Sequence, residues 1–187
     1  YQNGGSLYSN VKNIGDFERE KALKDLNQKV DKSRWSMTPQ TINAYYNPTA
    51  NEIVFPAAIL QAPFYDYEAS KAKNYGGIGA VIGHEITHAF DDEGSKFDEM
   101  GNLKDWWTRE DRKNYEKRTE ALAKQYSRYK SGDSKLNGKL TLGENIADLG
   151  GVSVALEIVK NENSDNLGEF FEAYAVIWRN LVTKERE

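Results

Sequence analysis

The residues of this sequence with the clearest chemistry are its two histidines, which lie four positions apart in His84-Glu85-Ile86-Thr87-His88. On an α-helix, positions i and i+4 share a face, so both imidazole rings can reach one metal ion. Glu85 lies about 100° around the helix from His84, where it can act on a water molecule without ligating the metal. The alternative is a surface helix with two solvated histidines. The apolar flanks Val81-Ile82 and Ala89-Phe90 instead predict a buried turn, and burying the histidine pair without a partner is costly.

A catalytic zinc site needs a third protein ligand and an open fourth position. The sequence has no cysteine and no third histidine, so the third ligand must be an aspartate or a glutamate. Glu144 and Asp148 are the best candidates, because they are also four positions apart: one can ligate zinc while the other accepts a ring N–H from a ligand histidine. A competing interpretation is a capping box over Thr141–Glu144, in which Glu144 folds back on its own helix start. The spacing favours the ligand role.

Length and composition limit the other function classes. A chain of 187 residues with 39% hydrophobic and 12% aromatic residues is one domain, or part of a larger one, with enough apolar side chains for a core. The net charge of −4 gives no electrostatic case for binding nucleic acid or an anionic membrane. No apolar run approaches the roughly 20 residues of a membrane span. The absence of cysteine excludes disulfides and favours a reducing compartment.

The hydrophobic pattern predicts a mainly α-helical fold with a small antiparallel β part, an α+β class. The glycines Gly79 and Gly83, just before the histidines, predict that another element packs closely on this helix. The individual predictions are a loop over residues 1–14, helices over Asp16–Val30, Glu68–Phe90, Thr141–Lys160 and Leu167–Lys184, a hairpin pairing Thr41–Tyr46 with Glu52–Phe55, a solvated charged face over Thr108–Lys130, and a hairpin or turn at Leu136–Leu140.

Several separate motifs, in one order along the chain, resemble the neprilysin family of zinc metallopeptidases, which includes neprilysin, endothelin-converting enzyme and the bacterial endopeptidase O group. The likeness runs from about Asn43 to Trp178. The matching stretches are Asn43–Tyr46, Ile53–Phe64, Asn74–Gly79, His84–Asp92, Gly101-Asn102, Asp105–Trp107 and Gly143–Asp148. The resemblance implies a zincin-like metallopeptidase catalytic core, with the zinc-binding part over residues 41–180.

The resemblance also implies a role for each matching residue. His84, His88 and Glu144 would bind one Zn²⁺ per chain, with Glu85 as general base and Asp148 bonded to a ligand histidine, His84. Asp91 would pair with an arginine near the family's C-terminus. The implied substrate-binding residues are Asn43 and Ala44, which would bind a peptide backbone as an added edge strand, and Ile59, Phe64, Val81, Ile177 and Trp178, which would line an apolar pocket for the residue after the scissile bond. Phe64, Val81 and Ile177 are equally compatible with ordinary core, and Asn43 with a turn amide.

The sequence departs from the family pattern after Trp178, where a histidine and an arginine that contact the substrate and the transition state have no counterpart. We therefore expect a central fragment of a metallopeptidase domain, residues 1–187, whose N-terminal part and C-terminal end are missing. The parent would be a zinc endopeptidase acting on oligopeptides. The fragment alone is expected to cleave peptides weakly or not at all, to leave Asp91 unpaired, and to expose apolar faces through which it could self-associate.

Two questions stay open at this point. The alternative function is a zinc-stabilised structural or binding domain without catalysis; the retained Glu85 and the open fourth ligand position favour the enzyme. The absence of cysteine and of glycosylation acceptors favours a bacterial cytoplasmic member, but the sequence does not fix the compartment.

Overall fold

The computed structural model describes residues 5–162 and 166–179 and divides the chain into two compact units, residues 1–34 and 35–187. The first unit contains helix α1, Leu7–Asp25, which begins where the Ser6 side chain accepts the backbone N–H of Ser9. A serine N-cap of this kind satisfies one of the free N–H groups of a helix start. The prediction of a loop through residue 14 was therefore wrong, and the predicted helix ends five residues earlier, at Asp25 rather than Val30.

The second unit is mainly helical, with two short hairpins. Its helices are α2 (Lys71–Asn74), α3 (Ala80–Thr87), α4 (Arg109–Tyr126), α5 (Leu142–Asn161) and α6 (Leu167–Ile177). The strands pair antiparallel as β1 (Tyr45–Asn47) with β2 (Glu52–Val54) and β3 (Lys130–Ser131) with β4 (Ser134–Lys135). The predicted fold class, mainly α with a small antiparallel part, is thereby confirmed.

The predicted first hairpin forms, with Tyr45 opposite Val54. The hairpin or turn predicted at Leu136–Leu140 is present as a turn, over residues 138–141. The second hairpin lies earlier in the chain, and its strands turn at Gly132, which has a positive φ of 57°. Part of the prediction for the last helix, residues 180–184, lies outside the described residues. None of the helices in the described part of the chain is both long and apolar enough to cross a bilayer.

The pattern predicted one continuous helix over Glu68–Phe90, but the structure divides this segment. A π-helical turn, Tyr75–Gly79, joins α2 to α3, and Gly77 has non-helical backbone angles. Neighbouring backbone comes too close for side chains here: a Cβ on Gly76 would lie 2.1 Å from the Phe170 carbonyl oxygen, and one on Gly77 would lie 2.3 Å from that of Phe64. The absence of side chains at Gly76 and Gly77 therefore lets α6 and the Pro63-Phe64 segment approach the start of α3.

Helices α3 and α5 pack against each other through glycine. A Cβ added to Gly83 would lie 2.8 Å from the Cα of Gly151, and one added to Gly151 would lie 2.6 Å from the backbone nitrogen of His84. Gly150 meets the side chain of Thr87 in the same way. The expectation of a close-packed partner is confirmed at Gly83. This contact brings the helix that carries Glu144 and Asp148 against the helix that carries the histidines.

Two apolar clusters support this arrangement. The first joins α2, α3, α5 and α6, and its buried members are Ala72, Ala80, Ala155, Val159 and Phe170. The second lies between β1 and the π-helical turn and is described below, because it contains predicted substrate-binding residues. Burying these side chains removes apolar surface from water and fixes the relative positions of α3, α5 and β1.

Candidate metal centre

Three possible ligand side chains converge where α3 meets the start of α5. The Nε2 atoms of His84 and His88 lie 3.0 Å apart, and a carboxylate oxygen of Glu144 lies 3.4 Å from the first and 3.8 Å from the second. These three side chains form a group that could hold a metal ion, with donor atoms all within 4.8 Å of one another. Two nitrogen donors and one carboxylate oxygen are a ligand set that zinc accepts.

Each histidine ring has a carboxylate on its other nitrogen. Asp148 Oδ1 lies 2.8 Å from His84 Nδ1, and Asp91 Oδ2 lies 2.6 Å from His88 Nδ1. A neutral imidazole that donates its Nδ1–H to a carboxylate keeps its Nε2 lone pair free for a metal. Both Nε2 atoms lie on the side of Glu144, so the rings are oriented for a shared cation.

Glu144 does not form the capping box that its sequence context allowed. Thr141, at the start of α5, makes no side-chain cap to the helix; its hydroxyl instead accepts a hydrogen bond from the Asn145 side-chain amide. Glu144 lies in the first turn of α5, where a carboxylate also interacts favourably with the helix dipole. Its side chain is 70% exposed, so it borders the site from the solvent side.

Glu85 is buried beside the histidines, with only 5% of its surface exposed. Burial raises its pKa; the nearby His84 and His88 and a hydrogen bond from the Tyr46 backbone N–H act in the opposite direction. Glu85 is not among the three converging ligand side chains, but it lines the same cleft. The turn is less buried than its apolar flanks predicted, since Ile82, Ile86 and Phe90 are all more than one-third exposed.

Asp91 is well paired, in contrast to the prediction that it would be left unpaired. Besides the bond to His88, its Oδ1 accepts the backbone N–H groups of Glu93 (2.8 Å) and Gly94 (2.6 Å). Burial alone would raise the pKa of Asp91, but these hydrogen bonds together lower it. Burial likewise opposes protonation of His88, but the Asp91 hydrogen bond and the surrounding carboxylates raise the pKa of this imidazole above its usual value. The sequence showed an acid beside the motif but not its partners.

The converging side chains open into a cleft of about 450 Å³ whose other wall is the segment Asn43–Tyr46. Asn43 is exposed and Ala44 is buried, and both precede strand β1. Tyr45 and Tyr46 also line the cleft, and the sequence reasoning assigned them no role. The signal that could have found them is their place in the strand that follows Asn43-Ala44, because the residues of one strand extend along the same wall.

The predicted apolar pocket is only partly assembled among the described residues. Ile59 is buried in one cluster with Ala44 and Ile78, and Phe64 and Val81 pack against it. Ile177 is buried at the end of α6 and Trp178 is half-exposed beyond it, and neither belongs to this cluster. Of the seven predicted substrate-binding residues, four thus lie in this cluster, Asn43 lines the cleft beside it, and Ile177 and Trp178 lie elsewhere.

The fold and the site define a helical metallopeptidase-type centre, with one histidine on α3, the second directly after its last residue, and a glutamate from α5. A profile of peptidase family M13 matches residues 43–187, and the chain belongs to this family. Neprilysin-3 of Drosophila melanogaster is 43% identical over 96% of the chain, and a neutral endopeptidase of Lactococcus lactis subsp. cremoris is 44% identical over 97%.

Solved structures agree with this assignment. The crystal structure of the Mycobacterium tuberculosis zinc metalloprotease ZMP1 with an inhibitor has a TM-score of 0.81 and 49% identity over 87% of the chain. PEPO from Lactobacillus rhamnosis HN001 has a TM-score of 0.80 and 42% identity over 86%. The chain spans 25% of the Drosophila protein, 29% of the Lactococcus protein and 27% of the ZMP1 chain.

Proposed function

We propose that this chain carries the zinc-binding core of an endopeptidase that hydrolyses peptide bonds of oligopeptides. The observation that supports this most directly is the convergence of His84, His88 and Glu144, with their donor atoms within 4.8 Å, beside a buried glutamate in one cleft. Membership of peptidase family M13 supports the same reaction class.

The three side chains fit a zinc ion by their chemistry. Both Nδ1 atoms are engaged by carboxylates; with both rings neutral and donating from Nδ1, two Nε2 lone pairs face each other at 3.0 Å and would be stabilised by a cation between them. The described residues offer three protein ligands, which is the number that leaves a position open in a catalytic zinc site. Zinc bound here would act as a Lewis acid toward the scissile carbonyl and the attacking water.

Glu85 is the proposed general base. It follows His84 directly and is buried against the same cleft, so its carboxylate can take a proton from the attacking water and then pass that proton to the leaving amine. Asp148 and Asp91 are proposed to hold the imidazoles of His84 and His88 in the ligating tautomer, at 2.8 and 2.6 Å.

Peptide binding is proposed along Asn43 and Ala44. These residues lead into β1, which pairs with β2 along one edge while Tyr45 and Tyr46 line the cleft. An extended peptide could add to this segment through backbone hydrogen bonds. The cluster formed by Ile59, Phe64 and Val81 would receive an apolar side chain, with Ile177 and Trp178 proposed as further contributors.

The test compares the intact polypeptide that carries this chain with its Glu85→Gln variant. Zinc content is measured by elemental analysis and peptide cleavage with fluorogenic substrates. We expect one zinc ion in both proteins and cleavage slower by about 10²–10⁴-fold in the variant. Zinc retention without cleavage in the unaltered protein would favour the structural or binding role instead.

A further inference from the structure

The turn that follows the histidine helix carries a rigid connection to His88. Asp91 accepts the backbone N–H groups of Glu93 and Gly94, and the N–H of Ser95 donates to the Asp91 carbonyl oxygen at 3.1 Å. Gly94 lies so close to the helix end that a Cβ there would be 1.9 Å from the carbonyl oxygen of His88. Any shift of residues 91–95 is therefore transmitted to the His88 ring.

Behind this turn lie three buried polar atoms that have no hydrogen-bond partner within the described part of the chain. They are Asp92 Oδ1, Ser95 Oγ and Tyr115 Oη, and Ser95 is fully buried. Buried polar groups in native proteins are nearly always satisfied by protein or by ordered water. Because all three atoms are inaccessible from the surface, a side chain docking from outside cannot reach them.

The three atoms belong to one site. Burial is the main reason that the pKa of Tyr115 is raised to about 12; the neighbouring Ser95 hydroxyl lowers this pKa, and the charge of Asp92 raises it. The Tyr115 ring packs on Trp107 with centroids 5.2 Å apart, and Trp107 Nε1–H donates to the Ser95 carbonyl oxygen at 2.9 Å. Helix α4 is thus held against the turn by aromatic packing, with the unpartnered atoms next to this contact.

We infer that Asp92, Ser95 and Tyr115 hold one buried water molecule, and that Tyr115 is thereby a positioning residue for the metal ligand His88. The water would donate to Asp92 Oδ1, accept from the Tyr115 O–H and bond the Ser95 hydroxyl, which are the three partners typical of a buried water. Through Asp92 and Ser95 it braces the turn that holds Asp91 on the His88 ring. Tyr115 itself is not among the three converging ligand side chains.

The site also reaches the start of α5. A Cβ on Gly143 would lie 3.1 Å from Asp92 Oδ1 and 3.2 Å from Asp91 Oδ2, and Gly143 precedes Glu144. The carboxylates of Asp91 and Asp92 therefore pack against the helix turn that presents Glu144. Movement of the braced turn would disturb the geometry of both His88 and Glu144.

The experiment, which rests on the proposed metal site, replaces single hydroxyl groups and measures metal binding. The variants are Tyr115→Phe and Ser95→Ala, and Tyr126→Phe is the matched control, since Tyr126 is a half-buried tyrosine on the same helix. Zinc affinity is measured by competition with a chromophoric chelator. The visible spectrum of the cobalt-substituted chain reports ligand geometry, which a purely stabilising hydroxyl would leave unchanged. Thermal unfolding of each metal-free variant confirms that it folds.

We expect Tyr115→Phe and Ser95→Ala each to weaken zinc binding about tenfold, at the lower end of the range for groups that orient metal ligands, and to shift the cobalt bands. Tyr126→Phe should do neither. Unchanged affinity and spectra in both variants would overturn the inference. So would an experimental structure of the metal-free chain in which Tyr115 bonds Ser95 or Asp92 directly, leaving no space for water. Failure of the unaltered chain to bind zinc would instead contradict the proposed metal site. The structure of the metal-free chain would then still show whether the buried water is present.

Discussion

The two carboxylates that bond the histidine rings offer the sharpest test of the metal centre, because they differ in burial and in the number of hydrogen bonds that they accept. Asp148 bonds His84 at 2.8 Å and its side chain is 38% exposed, so water can replace part of the interaction. Asp91 bonds His88 at 2.6 Å, its side chain is only 9% exposed, and it also accepts two backbone N–H groups. We expect the substitution Asp91→Asn to weaken zinc binding more than Asp148→Asn does.

The magnitudes follow from the two environments. Loss of a carboxylate that orients a ligand histidine typically costs about 10–100-fold in metal affinity. The exposed Asp148 belongs near the tenfold end, about 1.4 kcal/mol, and the buried Asp91 near the hundredfold end, about 2.7 kcal/mol. Asp91→Asn should also lower the melting temperature, because an amide has one acceptor oxygen and cannot accept both from the turn N–H groups, as Oδ1 does, and from His88 Nδ1, as Oδ2 does.

The assay is zinc competition titration of each purified variant, with thermal unfolding measured in parallel. Asp133→Asn is the control, since Asp133 is an exposed residue in the turn of the second hairpin and its substitution removes the same charge. Equal losses of zinc affinity in Asp148→Asn and Asp91→Asn would refute the expectation that the more buried carboxylate matters more. If Asp148→Asn binds zinc as tightly as the control Asp133→Asn, the bond between Asp148 and His84 has no role in metal binding.

Three further predictions concern single residues. Glu144→Ala should weaken zinc binding by more than the roughly 100-fold expected for an orienting carboxylate, as measured by the same titration; an unchanged affinity would remove Glu144 from the ligand set. In the intact polypeptide, Glu85→Gln should retain zinc and lower kcat by about 10²–10⁴-fold, and loss of zinc in that variant would show that Glu85 serves the metal instead. Gly83→Ala places a Cβ 2.8 Å from the Cα of Gly151 and should destabilise the chain by about 1–3 kcal/mol in denaturant unfolding. Gly168→Ala, where the nearest atom is 3.9 Å away, should be neutral or slightly stabilising, and equal effects of the two alanines would contradict the close packing of α3 on α5.

Local sequence patterns were sufficient for much of this protein. The i, i+4 spacing of His84 and His88 depends only on helix geometry, and the first hairpin follows from two β-prone runs separated by a turn sequence. The separate motifs around the histidines and Glu144 also identified the family, which the comparison with known proteins confirms. These features were predictable because each is encoded within a short stretch of chain.

Contacts between distant segments decided the rest. The packing of α3 on α5, at Gly83 and Gly151 among other residues, brings Glu144 within 3.4 Å of His84 and distinguishes its position from the capping box that the same residues allowed. The helix break at Gly77 likewise depends on the approach of Phe64, which no local pattern reports. Partners of buried polar groups, such as those of Asp91, come from whichever backbone the fold brings near, so burial and hydrogen bonding at the centre could be read only from the tertiary structure.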